Sequence, residues 1–96
     1  MKTRKDRFIE KADHLLGWID RELSMEPPAR PSAVETSDLE IASKYVKEMK
    51  HHVNKDTLPP KGLRYHVLGR IIDDQWPWRC ELGNEISELE DFYTQL

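Results

Sequence analysis

Residues 69–78 read Gly69-Arg70-Ile71-Ile72-Asp73-Asp74-Gln75-Trp76-Pro77-Trp78, and the proline near the end of this stretch decides how the chain divides. Proline is accepted in the first turn of a helix and breaks its interior. The apolar spacing on both sides is helical, so one helix is predicted to end near Gln75 and another to begin near Pro77. Two indoles at one corner either plug a core or face a partner.

Upstream of the break, Leu63, Val67 and Ile71 lie along one line of a helix over residues 59–75, and Leu68 and Ile72 lie along the next. A stripe this wide predicts the most buried helix of the fold. Downstream, Trp78, Leu82, Ile86, Leu89 and Tyr93 give the apolar pattern of a helix over 77–93. The earlier break is Asp56-Thr57-Leu58-Pro59-Pro60, where Asp56 or Thr57 can cap the helix that follows. Before it, Ser37 and Glu40 have the spacing of a capping box. They open a helix over 37–54 whose stripe is Leu39, Ala42, Val46, Met49 and Val53, with Ile41 and Tyr45 at its flanks. Asn54 suits a left-handed C-terminal cap.

The three prolines of residues 26–32 predict an extended, polyproline-like strap. A first helix over 3–24 carries Phe8, Ala12, Leu15, Ile19 and Leu23 at steps of three or four, widened by Ile9 and Leu16. No segment alternates with period two, and no Asn-Gly or Asp-Gly hairpin signal is present. The sequence therefore predicts an all-α four-helix bundle, a single helical domain over residues 1–96. The alternative is a three-helix core with a loosely packed N-terminal helix. The predicted centre of the core is Leu15, Ile19, Val46, Met49, Val67, Ile71, Leu82, Ile86 and Leu89.

Composition narrows the function classes. Hydrophobic residues make up 38% and charged residues 34%, enough apolar content for one core with a highly charged surface. No apolar run exceeds two residues, so neither a membrane span nor a signal-peptide core is expected, and a cytoplasmic location follows by default. One cysteine, Cys80, rules out an intramolecular disulfide and a multi-cysteine zinc site. The net charge of −3 argues against nonspecific nucleic-acid binding. A helix-turn-helix also needs a shorter turn than the proline-bearing connection over 55–61.

The charge is unevenly spread. Residues 41–70 carry seven bases and two acids (net +5), and residues 71–96 carry seven acids and one base (net −6). The plain reading is that these halves face each other inside the bundle. The functional reading is an acidic docking face on the last helix for a basic partner, built from Glu81, Glu85, Glu88 and Asp91, with Trp76 and Trp78 as aromatic anchors at its head.

Glu85, Glu88 and Asp91 step by three along one side of that helix. An E-x-x-E-x-x-D run can hold magnesium when a second helix supplies further carboxylates. This run resembles part of the motif of the MazG-type, all-α nucleotide pyrophosphohydrolases. That resemblance implies a magnesium-dependent nucleotide hydrolase, with a complementary E-x-x-E on a neighbouring helix. This chain lacks it, and the nearest substitutes, Asp13, Asp20 and Asp38 with Glu40, are spaced differently. His14, His51, His52 and His66 offer no i, i+4 pair for a metal. Cys80 is predicted in the first turn of the last helix beside Arg79, where a helix N-terminus and a cation lower a thiol pKa.

The sequence thus favours a non-catalytic protein-interaction module, with no metal, no cofactor and no membrane contact. Its partner is another protein, and self-association stays open. In size, charge and class it is similar to bacteriocin immunity proteins, which implies an inhibitory or regulatory role. The magnesium-dependent hydrolase is the runner-up.

Overall fold

A computed structural model of the chain describes residues 2–60, 67–77 and 80–96. Four α-helices run over Arg4–Leu23 (α1), Thr36–Asn54 (α2), Val67–Gln75 (α3) and Glu81–Gln95 (α4), and no strand occurs among the described residues. The fold is all-α and consistent with a helical bundle.

Helix α1 opens with a capping box. Thr3 Oγ1 accepts from the Asp6 amide and the Asp6 carboxylate accepts from the Thr3 amide, both at 3.1 Å, so two exposed donors are satisfied reciprocally. Phe8, Ala12, Leu15 and Ile19 are fully buried. The next member of this line is Glu22, not Leu23: the glutamate is buried and the leucine only partly so. Helix α1 packs against both α2 and α4, and α3 packs on α4. The loosely packed N-terminal helix considered as an alternative is therefore not what the chain forms; α1 is the central element.

Side-chain pairs give the directions. Lys5 meets Asp56 and Lys50 meets Asp13, so α2 runs antiparallel to α1. Phe8 stacks against Phe92 and Tyr93, and Lys11 reaches Glu88, so α4 also runs antiparallel to α1. The Leu68 amide meets the Glu90 carboxylate and Ile72 lies against Gly83, so α3 runs antiparallel to α4. The result is an up-down-up-down arrangement.

The strap between α1 and α2 is more folded than an extended polyproline segment. Pro27–Ala29 form a 3-10 turn. A second turn follows, in which the Ala33 amide donates to the Arg30 carbonyl at 3.1 Å, with Pro31 at its second position, where a fixed φ is favourable. Ala33 sits in the left-handed region with φ of 58°.

The predicted Ser37–Glu40 capping box is not formed. Helix α2 begins one residue earlier, with Glu35 as N-cap and no side-chain cap bond. The Leu39 amide closes the first turn on the Glu35 carbonyl at 3.0 Å. Helix α2 ends at Asn54 as predicted, but the left-handed residue is Asp56, with φ of 55°. Its amide donates to the Val53 carbonyl and the Thr57 amide donates to the His52 carbonyl. That pair of bonds is a Schellman motif. Asp56 therefore closes α2 and does not open α3.

Residues 57–60 are not helical, so the prolines do not start the third helix as predicted; Leu63 and His66 lie outside the described residues. The Glu90 carboxylate accepts from the Leu68 amide at 2.9 Å. An acid from α4 thus serves as the cap of α3, where a helix N-terminus favours negative charge. The buried line of α3 is Leu68, Ile72 and Trp76, while Ile71 is only partly buried. The predicted line through Ile71 is corrected by one position. Burying the indole at the end of the line turns the helix, and Gly83 gives it room: a Cβ there would lie 2.9 Å from Ile72 Cγ2 and 3.3 Å from Trp76 Cε3. Helix α4 starts at Glu81 with Cys80 as N-cap, not near Pro77. Its residues Leu82, Ile86, Leu89 and Tyr93 face the core as predicted.

Two substitutions test this packing. Ile72→Ala is expected to cost about 2–5 kcal/mol and Ile71→Ala clearly less; chemical denaturation of both reads the order directly, and the reverse order contradicts the phase. Gly83→Ala gains up to about 1 kcal/mol of helix propensity, but overpacking costs roughly 1–3 kcal/mol. Its melting midpoint should fall; a rise would mean that α3 and α4 are further apart.

Candidate functional site

The acidic strip lies on α4, which carries Glu81, Glu85, Glu88, Glu90 and Asp91 and no base. Glu81, Glu88 and Asp91 are exposed, Glu85 is half-exposed, and Glu90 is buried at the start of α3. Lys11 of α1 lies 3.3 Å from Glu88 and 3.9 Å from Glu85, serving both carboxylates. Beyond it, Arg4 and Arg7 line a groove of about 370 Å³ with Glu88, Asp91 and Phe92, and the Arg4 guanidinium sits 5.9 Å from the Phe92 ring centre. The Glu85–Glu88–Asp91 ladder therefore borders a cationic edge of α1.

The acids named as its substitute partners are elsewhere. Asp13 pairs with Lys50 at 2.5 Å, Asp20 and Glu40 line a groove between α1 and α2, and Asp38 lies in the first turn of α2. Among the described residues, no three His, Cys, Asp or Glu side chains cluster in a way that could hold a metal ion. The described ion pairs add a third participant to the charge pattern, while Lys61 and Arg64 of the basic half lie outside the described residues. Among the described residues, α4 is answered by α1, and the Lys50 of α2 is likewise answered by α1.

The aromatic anchors fare differently. Trp76 is only 7% exposed and packs where α3 meets α4, so it offers a partner little surface. Its indole Nε1 is buried and finds no hydrogen-bond partner among the described residues. Trp78 lies outside the described residues. Trp18, half-buried, donates its Nε1 proton to the Glu22 carboxylate at 2.6 Å.

That contact belongs to a buried polar cluster that the sequence reading missed. Glu22 is 1% exposed. Its carboxylate accepts from Trp18, from the Ser32 hydroxyl at 2.5 Å and from the Ser32 amide at 3.1 Å. Arg30, 6% exposed, donates from Nε to the Glu22 carbonyl at 2.8 Å, from one terminal nitrogen to the Val34 carbonyl at 3.0 Å, and from the other to Thr36 Oγ1 at 2.8 Å. The detectable signal was an acid three residues after Ile19, on the apolar line of α1.

Cys80 closes the cluster. Its Sγ accepts from the Gly83 amide at 3.4 Å and lies 3.9 Å from the Ser32 carbonyl. Burial pushes the thiol pKa above its ordinary value, against the lowering effect of the Gly83 and Leu82 amides; Glu22 and Glu81 add to the rise. Desolvation thus outweighs the lowering that a helix N-terminus brings, which fits a structural cysteine; Arg79 lies outside the described residues. The histidines stay dispersed: His14 edges Trp18, His52 meets Thr57 Oγ1 at 3.1 Å, and the His51 and His52 rings are 6.0 Å apart.

The larger groove, about 590 Å³, runs along α1 and α2 past Leu23, Ser43, Lys44, Lys47 and His51. Asp20, Glu40 and Glu48 line it too, so acids and bases are mixed and no single sign selects a ligand. No protein-family model matches this chain, and no curated protein is significantly similar to it.

Arg30→Lys should cost about 2–3 kcal/mol, because an ammonium cannot reproduce three directed bonds, two of them to buried carbonyls; a urea midpoint equal to the parent's would mean that the clamp carries no stability. For Cys80, the raised folded-state pKa means that its linked stability is complete below the unfolded thiol's pKa of about 8.5. It is lost as pH rises through the folded value. The parent's melting midpoint should therefore drop more steeply above pH about 9 than that of Cys80→Ala, and equal slopes would contradict the desolvated thiol.

Proposed function

We propose that this chain is a non-catalytic module that binds another protein, with a basic partner docking on the exposed face of α4. The observation that carries this reading is charge placement. Helix α4 carries no base, and its acids Glu81, Glu85, Glu88 and Asp91 are exposed or half-exposed, with Lys11 shared between Glu85 and Glu88. A one-signed surface accelerates encounter with an oppositely charged partner and discriminates against others. The same ion pairs weigh against the magnesium hydrolase, because the helix beside the ladder presents lysine and arginine where that chemistry needs further oxygen ligands. The buried Trp76 leaves Trp78, in the same Trp-Pro-Trp stretch, as the aromatic anchor of this proposal. An inhibitory or regulatory role in the cytosol belongs to the same proposal; no helix of the described residues is long and apolar enough to cross a membrane.

Co-purification from the native host tests the reading, using tagged parent, the double reversal Glu81→Lys with Glu88→Lys, and Lys44→Glu with Lys47→Glu. Circular dichroism verifies that each is folded. The parent and the α2 variant should retain a common basic partner. The α4 variant should lose it, with slower association most evident at low salt. A partner lost only by the α2 variant would move the interface to the α1–α2 groove. Magnesium-dependent nucleotide turnover abolished by Glu85→Gln would replace the proposal with the hydrolase.

A further inference from the structure

We draw no further inference here: the strongest candidate, the cavity of about 520 Å³ where Glu35, Ser37 and Asp38 at the start of α2 face Gln75 and Pro77, rests on a helix N-terminus without a side-chain cap that two carboxylates border, and the unpartnered buried Trp76 indole does not line it.

Discussion

Arg30 joins the end of α1 to the beginning of α2. Its guanidinium spans the Glu22 carbonyl, the Val34 carbonyl and the Thr36 hydroxyl, and it gives the buried Val34 carbonyl its donor. An unpaired buried polar group costs on the order of 1–3 kcal/mol, so the path of the strap depends on this side chain. Glu22 anchors the other side by holding Ser32. With the strap fixed, the α1–α2 hairpin has a defined angle, and the fully buried faces of α1 and α2 can meet.

Helices α1, α2 and α4 were legible because each has one dominant apolar line, and burial of that line outweighs everything else in setting its phase. Helix α3 was not, because Val67, Leu68, Ile71 and Ile72 support two phases equally well. The choice depends on Trp76 and on the absence of a Cβ at Gly83, which lies in another helix. Helix starts were misplaced for a related reason. Pro59, Pro60 and Pro77 satisfy the local rule for a first turn, whereas the Glu90 carboxylate on the Leu68 amide is a tertiary contact, and Cys80, which caps α4 locally through the Gly83 amide, is not among the usual capping residues. Glu22 was overlooked because a carboxylate is read as a surface group unless its hydrogen-bond partners are known, and Ser32 is ten residues away.

The acids of α4 were visible as a run, but their surroundings were not. Sequence composition suggested that the basic middle of the chain would neutralise them. Among the described residues the central helix presents Arg4, Arg7 and Lys11 along the α4 seam, and the N-terminal basic run makes further contacts within the molecule: Lys2 with Glu10 and Lys5 with Asp56. Exposed pairs of this sort add little stability, about 0–1 kcal/mol each. Their effect is local, muting the charge of Glu85 and Glu88 where α4 lies beside α1.

The bond from Glu90 to the Leu68 amide bears on how the chain assembles. A nine-residue helix is too short to persist alone in water. Its opening turn is held by a carboxylate from 22 residues further along the chain, and its buried line closes on Gly83. Helix α3 therefore depends on its contacts with α4. Helix α1 carries its own capping box and α2 its own Schellman closure, and the strap between them is clamped locally, so that pair has short loops to close and local signals to guide it. The third helix thus owes its persistence to the fourth, so that a change at Gly83 or Glu90 on α4 is felt in α3.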